Sequence, residues 1–395
     1  MSAVLPGATL GLIGGGQLGA LFAAAARRMG YRVLLLEPDA MCPASYLAHE
    51  HLACAYDDAA ALDSMGRRCA AVTTEFENVP ATSLEYLTQH GLVRPGARAI
   101  AIAQDRILEK SFLRDAGIAT ARFAVIESIA DIHAALPWIG APAVLKSARM
   151  GYDGKGQSRL DAVGDVVRAY EDVGGSRCVL EERIDLACEI SIVLARGADG
   201  EVRCYAAAEN RHRGGILDLS LVPARINNAL AQRATEIAGR IAVALDYVGV
   251  LTVEFFLTRD GRLLVNELAP RPHNSGHWTL DAAETSQFEQ QVRALCGLPL
   301  GATRHHGAAV MVNLLGELWR DGRPPAWEYV LACPDARLWL YGKREARQGR
   351  KMGHYTCRAS SVADALRLAE DIHLRLEGEE GASGRLNDGE KAYLA

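Results

Sequence analysis

The chain has 395 residues, which is enough for two or three domains and a large hydrophobic core. Hydrophobic residues make up 49% and charged residues 23%, as in ordinary globular enzymes. The net charge of −5 argues against a nucleic-acid-binding surface, and the apolar runs are too short to span a membrane. Nine scattered cysteines without paired C-x-x-C spacing, and an N-terminus without a signal-sequence pattern, predict a cytoplasmic protein with reduced thiols.

The first segment has the pattern of a βαβ unit. Thr9–Gly14 and Tyr31–Glu37 have the composition of buried strands, and an Ala-rich amphipathic helix covers roughly Leu18–Met29. The turn GGGQLG at 14–19 contains G-x-G-x-x-G, whose backbone N–H groups can approach a phosphate. Alone, this motif predicts a dinucleotide-binding Rossmann domain with Glu37 as the ribose acid. The same turn also serves tight strand–helix packing, so both interpretations stay open.

A further strand, Ala70–Glu75, ends in a polar turn. Ligands of open α/β sheets bind beyond the carboxyl ends of the strands, which is where Gln17 and Glu75 are expected. Glu75 could therefore contact a polar ligand or simply belong to a solvated loop. After a Pro-Gly boundary, Ile102–Gly117 is predicted to form a single helix that ends at its glycine.

Lys146 lies in an apolar strand just before the glycine-rich loop Gly151–Gln157. A buried ammonium needs an anionic partner, and the amides of such a loop can surround phosphate oxygens. The loop lacks the P-loop pattern, and a plain hairpin tip is the alternative. Farther along, Cys178–Glu182 is predicted as a strand, Glu189 falls on the next strand, and Asn210–Leu217 is predicted as a polar, basic loop.

Two apolar runs flank Asp260-Gly261, a strong signal for a two-residue hairpin turn. Reflection about that turn predicts three cross-strand pairs: Arg259 with Arg262, Leu257 with Leu264, and Glu254 with Glu267. Directly opposed glutamates repel each other unless a cation lies between them. Mg²⁺ takes one or two protein carboxylates together with substrate phosphates, so the hairpin suggests a magnesium site. A surface hairpin with two solvated glutamates is the alternative.

The remaining segments predict a binding loop and a smaller C-terminal unit. Pro270–His277 is too polar and Pro-rich for a core element, so it predicts a binding loop. Strands are expected at Gly307–Leu315 and Ala336–Tyr341, with a helix at Ser361–Leu376. The basic segment Gly342–His354 could meet an anion such as a phosphate monoester, or it could be a solvated loop.

Together these motifs resemble the ATP-grasp superfamily and, within it, the N5-carboxyaminoimidazole ribonucleotide synthetase family. The matching segments are GGGQLG at 14–19, TTEFENVP at 73–80, QDR at 104–106, GYDGKGQ at 151–157, NELAPRPHNSGHWT at 266–279, ETSQFEQQVRALCGLPLG at 284–301, YGK at 341–343 and GRKMGH at 349–354. NSGHWT and ETSQFEQ are the specific motifs. The resemblance implies an α/β and α+β fold with a Rossmann-like preATP-grasp domain (1–103), an ATP-grasp domain (104–302) and a small β-rich C-terminal domain (303–395).

The resemblance also implies how ATP and Mg²⁺ are bound. Phosphates would be held by two basic side chains and the glycine loop, adenine by the segment 181–184, and ribose by Glu189. The full ATP-binding set is Arg106, Lys146, Gly151, Tyr152, Asp153, Gly154, Lys155, Gly156, Gln157, Glu181, Glu182, Arg183, Ile184, Glu189, His212, Asn266 and Glu267. Glu254 and Glu267 match the Mg²⁺ ligands. The chain departs from the E-x-N pattern of many ATP-grasp enzymes, which leaves the third protein ligand open.

In this family the glycine turn serves a ribonucleotide rather than NAD. The residues that match positions around aminoimidazole ribonucleotide and its 5′-phosphate are Gln17, Glu75, Asp153, His273, Asn274, Lys343 and Arg350. The implied activity is that of a ligase in purine biosynthesis: ATP phosphorylates bicarbonate to carboxyphosphate, and the exocyclic amine of the ribonucleotide is then carboxylated. Asp153 or His273 would be the base, and Arg271 would neutralise charge. The implied partners are these small molecules and a second copy in a homodimer.

Three other functions remain alternatives. An NAD-dependent oxidoreductase would use the glycine turn but would leave Lys146 and the opposed glutamates without a role. Another ATP-grasp enzyme, such as formate-dependent glycinamide ribonucleotide transformylase or biotin carboxylase, would not need NSGHWT. A non-catalytic nucleotide-binding module would not need the set of charged side chains.

Overall fold

The structure, a computed structural model, describes residues 3–151 and 155–378. Its N-terminal part is a parallel sheet with strand order β3-β2-β1-β4-β5. The elements are β1 (Thr9–Ile13), α1 (Gln17–Arg28), β2 (Arg32–Leu36), β3 (Glu50–Leu52), α2 (Ala59–Arg68), β4 (Ala71–Thr74), α3 (Ala81–Thr88), β5 (Leu92–Val93) and α4 (Ala97–Ala103). The predicted βαβ unit and the strand after it are confirmed.

A second, antiparallel sheet has the strand order β6-β9-β7-β8. Its elements are α5 (Arg106–Asp115), β6 (Phe123–Ile126), α6 (Ile129–Ile139), β7 (Ala143–Ser147), β8 (Gln157–Leu160), α7 (Val166–Asp172) and β9 (Cys178–Glu182). The single helix predicted over Ile102–Gly117 is wrong, because α4 and α5 are separate. Asp105 interrupts them: its carboxylate accepts from the Ile107 N–H (3.0 Å) and so caps the start of α5.

The largest sheet runs β15-β14-β10-β12-β13-β16-β18-β17, with β11 paired to β10. Its elements are β10 (Leu186–Arg196), β11 (Val202–Cys204), β12 (Ala208–Arg213), β13 (Ile216–Val222), α8 (Asn228–Ala244), β14 (Gly249–Thr258), β15 (Leu263–Ala269), α9 (Thr279–Ala282), α10 (Gln287–Cys296), β16 (Ala308–Leu315), α11 (Glu328–Leu331), β17 (Ala336–Leu340), β18 (Lys351–Ala359) and α12 (Val362–Glu377). Among the described residues, no helix is both long and apolar enough to cross a membrane.

The polar segment Asn210–Leu217 is not the predicted loop but most of the β12–β13 hairpin. Two buried polar side chains near the start of this hairpin have partners inside the fold. The buried Glu209 accepts from Arg225 Nε (2.9 Å), and Asn210 accepts from Ser220 (2.8 Å). The basic segment Gly342–His354 is likewise a loop only as far as Arg350, after which it enters β18.

The C-terminal strands continue the large sheet rather than forming a separate one. β16 pairs antiparallel with β13, so Val310 lies opposite Leu221. The predicted boundaries at 103/104 and 302/303 fall between elements, and they stay predictions.

Helix α10 ties the N-terminal sheet to the large sheet. Its Phe288 is fully buried and belongs to the same apolar cluster as Leu10, Leu12 and Phe22 of the N-terminal part. The helix begins at the cap Ser286, whose side chain accepts from the Glu289 N–H (3.2 Å). Through Phe288 the helix therefore shares the core of the N-terminal sheet, and through Ala294 it joins the cluster that contains Val250 of the large sheet.

We expect Phe288→Ala to lower the free energy of unfolding by about 3–5 kcal/mol, because it removes a fully buried ring from this shared core. Urea denaturation followed by circular dichroism measures the loss. Leu331→Ala, at an exposed side chain, is the control and should change the free energy by less than about 0.5 kcal/mol. Equal effects would show that α10 does not couple the two parts.

Candidate active site

The hairpin β14–β15 places Glu254 opposite Glu267, as predicted, but its turn length and strand register differ from the prediction. The loop has three residues, because the Thr258 N–H donates to the Arg262 carbonyl (2.9 Å), so Leu257 pairs with Leu263 rather than Leu264. The predicted Leu257–Leu264 and Arg259–Arg262 pairs are therefore wrong. A β-bulge between Glu254 and the next residue then shifts the register by one and restores the glutamate pair.

The two glutamates line a cleft of about 240 Å³ between the large sheet and the small antiparallel sheet. All of its lining residues except Gly215 and Phe256 belong to the ATP and magnesium set predicted above. They are Arg106, Lys146, Lys155, Gly156, Gln157, Glu189, His212, Gly215, Glu254, Phe256, Asn266 and Glu267. The structure thus brings residues from five separate stretches of sequence into one polar cleft.

Two lysines share one buried carboxylate on the small-sheet side of the cleft. Glu181 Oε2 lies 3.0 Å from Lys146 Nζ and 3.4 Å from Lys110 Nζ. Burial alone would raise the pKa of Glu181, but the two lysines outweigh it and lower that pKa to about 2. The Glu181 side chain is therefore an ionised support for Lys146.

The adjoining residues of that segment make contacts outside the cleft. Glu182 accepts from Arg122 Nε (2.8 Å), and Arg183 forms an ion pair with Asp161 (3.3 Å). Ile184 lies in the irregular connection between β9 and β10. Their predicted roles at adenine stay predictions.

A second cation–carboxylate pair lies at the large-sheet side. Arg106 donates through both terminal nitrogens to Glu267 Oε2 (3.3 Å each). Beneath it, the buried Glu109 accepts from the Leu268 N–H (2.6 Å), directly after Glu267. Burial raises the pKa of Glu109. Glu109 thus holds the backbone that carries the predicted metal ligand.

Three possible metal ligands cluster in the cleft. Ligand atoms of Glu189, His212 and Glu254 all lie within 4.8 Å of one another, and His212 Nδ1 is 2.9 Å from Glu189 Oε2. Burial disfavours a charged ring, but Glu189 outweighs it and raises the pKa of His212 to about 9. Burial, followed by the charge of Glu267, raises the pKa of Glu254. The protonated His212 ring therefore compensates Glu189, whereas Glu254 lies among further negative charges and suits a divalent cation.

Arg271 is fixed by a residue of the N-terminal part. Its guanidinium donates to the Glu77 carboxylate through Nε and Nη2, with Nη2 2.8 Å from Oε1, and its Nη1 donates to the Pro272 carbonyl (3.0 Å). The Glu77 backbone is held in turn by Gln104 Nε2 (2.6 Å). The ion pair fixes the orientation of the Arg271 fork and joins the loop after β4 to the loop after β15.

His273 has both ring nitrogens engaged. Nε2 lies 3.1 Å from Glu254 Oε1, and Nδ1 lies 2.9 Å from Ser275 Oγ. Burial, followed by the charge of Arg271, holds the pKa of His273 well below its ordinary value. The neutral ring therefore donates to the Glu254 carboxylate and accepts from Ser275.

The predicted ribonucleotide residues Gln17, Asn274 and Lys343 meet although they are far apart in sequence. Gln17 Nε2 donates to Asn274 Oδ1 (2.8 Å), and Gln17 Oε1 accepts from Lys343 Nζ, which also donates to the Lys351 carbonyl (2.6 Å). Arg350 lies on the Lys343 loop and donates to the Glu345 carbonyl (3.0 Å). Its predicted phosphate contact stays a prediction.

Glu75 ends β4 as a buried carboxyl group. Within the described ranges, neither of its oxygens has a hydrogen-bond partner. Burial raises its pKa to about 8, although Arg271 opposes this effect. Buried polar atoms usually find partners, so Glu75 is well suited to a ligand that supplies one.

The glycine turn is occupied by contacts within the protein. A Cβ at residue 19 would lie 2.3 Å from the Gly14 carbonyl oxygen, so a glycine there permits close strand–helix packing. Glu37 accepts from the Gly15 N–H (2.8 Å) and from Tyr56 (2.6 Å). In a dinucleotide site that acid would bind ribose. These contacts do not favour the NAD-dependent alternative.

Tyr152, Asp153 and Gly154 of the predicted glycine loop lie outside the described residues. The remainder of that loop closes the β7–β8 hairpin, where the Ser147 N–H donates to the Gly156 carbonyl (2.7 Å). Sequence reasoning missed Glu109 and Lys110 beneath the cleft. The helical spacing did indicate that Lys110 is buried, because it lies three residues from both Ile107 and Leu113 on the buried face of α5.

Comparison with protein families gives three consecutive matches. Residues 7–104 match the ribonucleotide synthetase preATP-grasp domain, 111–288 the ATP-grasp domain, and 309–368 the phosphoribosylaminoimidazole carboxylase C-terminal domain. The N5-carboxyaminoimidazole ribonucleotide synthase of Brucella melitensis is 45% identical, over 89% of this chain and 96% of that protein. The Bacillus subtilis synthase is 41% identical, over 89% and 92% respectively.

Solved structures agree with these matches. N5-carboxyaminoimidazole synthetase from Staphylococcus aureus, complexed with ADP, superposes with a TM-score of 0.89 at 36% identity, covering 95% of this chain and 99% of that one. The Aspergillus clavatus enzyme, in complex with ADP and 5-aminoimidazole ribonucleotide, gives a TM-score of 0.85 at 28% identity, covering 94% and 98%. Because its relatives match it over almost their whole length, the chain belongs to the N5-carboxyaminoimidazole ribonucleotide synthetase family of ATP-grasp enzymes.

Proposed function

We propose that this chain is a ligase that carboxylates 5-aminoimidazole ribonucleotide with bicarbonate, releasing ADP and phosphate, in purine biosynthesis. One observation carries the proposal. The adjacent residues His273 and Asn274 face two different groups of residues, since His273 contacts Glu254 of the polar cleft and Asn274 contacts Gln17 of the ribonucleotide cluster. A phosphorylated intermediate formed in the cleft would therefore arise next to the ribonucleotide.

ATP binds in the cleft between the two sheets. Arg106 and Lys146 line the cleft and hold the phosphates, while Glu189 binds the ribose hydroxyls and His212 lies beside the nucleotide. Phosphoryl transfer requires mainly positioning and charge neutralisation, and side chains that are already fixed by ion pairs are pre-organised for both.

The residues present fit Mg²⁺ at Glu254 and Glu267. These carboxylates oppose each other on adjacent strands, and burial together with the charge of Glu267 raises the pKa of Glu254. The bulged Asn266 also lines the cleft, and its Oδ1 is buried without a hydrogen-bond partner in the described part of the chain, which suits a third oxygen ligand. When bound, Mg²⁺ neutralises the phosphate charge and orients the reacting oxygens.

Arg271 stabilises bicarbonate and the carboxyphosphate formed from it. Its fork is held by Glu77, so its charge is presented at a fixed place. The exocyclic amine of the ribonucleotide then forms the new C–N bond to CO₂ or carboxyphosphate, phosphate leaves, and a base takes the amine proton. The engaged ring nitrogens of His273 suit a residue that supports Glu254. Asp153, outside the described residues, is the other base predicted from the sequence.

The ribonucleotide binds at Gln17, Asn274 and Lys343, with Arg350 near its 5′-phosphate and Glu75 accepting a hydrogen bond from it. The family resemblance also implies a homodimer, which size-exclusion chromatography coupled to light scattering would test. Formation of ADP that depends on both ribonucleotide and bicarbonate is the direct test of the activity. ADP release that ignores both compounds would contradict it.

Glu267→Gln should keep the fold but lower ribonucleotide-dependent ADP release by about 100-fold or more, because the amide lacks the charge that a divalent cation requires. The measurement is a coupled ADP assay over a Mg²⁺ titration. Asp260→Asn, in the exposed turn of the same hairpin, is the matched control and should keep near-normal turnover. Near-normal activity of Glu267→Gln would remove the metal assignment.

Lys343→Ala should raise the KM for the ribonucleotide about 10- to 100-fold, since it removes a charged hydrogen-bond donor, while the KM for ATP stays within about twofold. Steady-state kinetics with each substrate varied in turn measure both values. The neighbouring exposed Arg344→Ala is the control. A change confined to the KM for ATP would place the ribonucleotide elsewhere.

Glu75→Gln should stabilise the ligand-free protein more strongly at pH 8 than at pH 5. The folded-state pKa of Glu75 is raised to about 8 from an ordinary value of 4.5, so the folded protein keeps a proton that the unfolded chain releases. This group therefore lowers stability progressively as pH rises from about 4.5 to about 8. Thermal unfolding of both proteins at the two pH values measures the difference, and a pH-independent difference would contradict a buried, unpaired carboxyl group.

A further inference from the structure

Three fully buried glutamines on α10 use both the oxygen and the nitrogen of their amides to bind other parts of the chain. Gln290 accepts from the Gly301 N–H (2.9 Å) and donates to its carbonyl (2.7 Å). Gln291 accepts from the Val250 N–H (2.6 Å) and donates to Thr73 Oγ1 (2.8 Å). A buried amide needs partners for both its oxygen and its nitrogen, so Gln290 fixes the helix against one residue, and Gln291 fixes it against two strands.

Gln287 makes the corresponding contact with the binding loop. Its Oε1 accepts from the His273 N–H (2.9 Å), and its Nε2 donates to the His273 carbonyl (2.7 Å) and lies 3.2 Å from His277 Nδ1. The side chain thus pairs with His273 as a neighbouring strand would. A Cβ at Gly276 would lie only 2.5 Å from Gln287 Oε1, so a glycine is needed for the loop to approach the amide.

Gln287 holds the backbone of His273, and the position of that backbone affects both the polar cleft and the ribonucleotide cluster. His273 Nε2 lies 3.1 Å from Glu254, and Asn274 Oδ1 lies 2.8 Å from Gln17 Nε2. A shift of the His273 backbone would move both contacts together. The roles of Glu254 and Gln17 rest on the proposed function, whereas the contact between the Gln287 amide and the His273 backbone does not.

We propose that Gln287 is a positioning residue, which sets the His273–Asn274 backbone so that the cleft and the ribonucleotide cluster keep their spacing. Within the motif ETSQFEQ, Gln287 then acts through this loop and touches neither substrate. Small displacements of supporting residues reduce catalysis without unfolding the protein, which distinguishes this role from a purely structural one.

The test compares Gln287→Met with Gln290→Met. Both changes remove a fully buried amide that is hydrogen-bonded to the backbone N–H and carbonyl of a single residue. Both should therefore lower the thermal midpoint by similar amounts. Gln287→Met should also lower kcat/KM for the ribonucleotide by about 10-fold, whereas Gln290→Met should change it by less than about twofold. Equal kinetic losses in both variants, or none in Gln287→Met, would overturn the proposal.

Gly276→Ala tests the same contact from the loop side. The added methyl group should displace the Gln287 amide and reproduce the kinetic loss of Gln287→Met. The imidazole ¹⁵N signals of His273 provide a readout that does not depend on turnover: they should shift in Gln287→Met and Gly276→Ala and stay unchanged in Gln290→Met. Unchanged signals in the first two variants would overturn the proposal, whatever reaction the wild-type protein catalyses.

Discussion

The site depends on two glutamates that face each other across adjacent strands in a buried cleft. Two carboxylates in this position repel each other, and burial makes the repulsion costly. Each is partly compensated by its neighbour, Glu254 by His273 and Glu267 by Arg106. His273 is neutral and Arg106 is a single charge, so the pair still favours a cation of higher charge, and the cleft around it supplies the basic side chains that a polyphosphate would need.

The glutamate pair could be predicted from the sequence, although its exact geometry could not. A two-residue turn at Asp260-Gly261 gives the correct partner for Glu254, yet the real loop has three residues and pairs Leu257 with Leu263. A bulge at Asn266 compensates for the difference, and a bulge leaves no clear sequence signal. It also brings Asn266 into the cleft beside Glu267, so the departure from E-x-N has a structural counterpart.

Other features escaped prediction because they depend on pairing between distant residues. The segment at 210–217 is polar enough to indicate a loop, but Ser220 donates to the buried Asn210, and Arg225 pairs with Glu209 directly before it, so the chain can form a hairpin there. Lys110 is charged, yet it lies on the buried face of α5 because Glu181 is there to receive it. Periodicity predicts which face of a helix is buried, whereas only the three-dimensional structure shows which polar residues have found partners on that face.

The glycine turn is a functional example, because its sequence pattern does not show which of its polar groups are already paired inside the protein. G-x-G-x-x-G followed by an acid on the second strand satisfies the pattern for a dinucleotide site, and the fold around it is the predicted parallel sheet. Whether the turn can bind a dinucleotide depends on the contacts of Glu37, which accepts hydrogen bonds from the Gly15 amide and from Tyr56. That amide would face the phosphates of a dinucleotide and that acid its ribose, so their pairing uses both recognition groups inside the protein. The half-buried Gln17 beside the turn contacts Asn274 and Lys343 instead, so this end of the sheet is joined to the loop that carries His273.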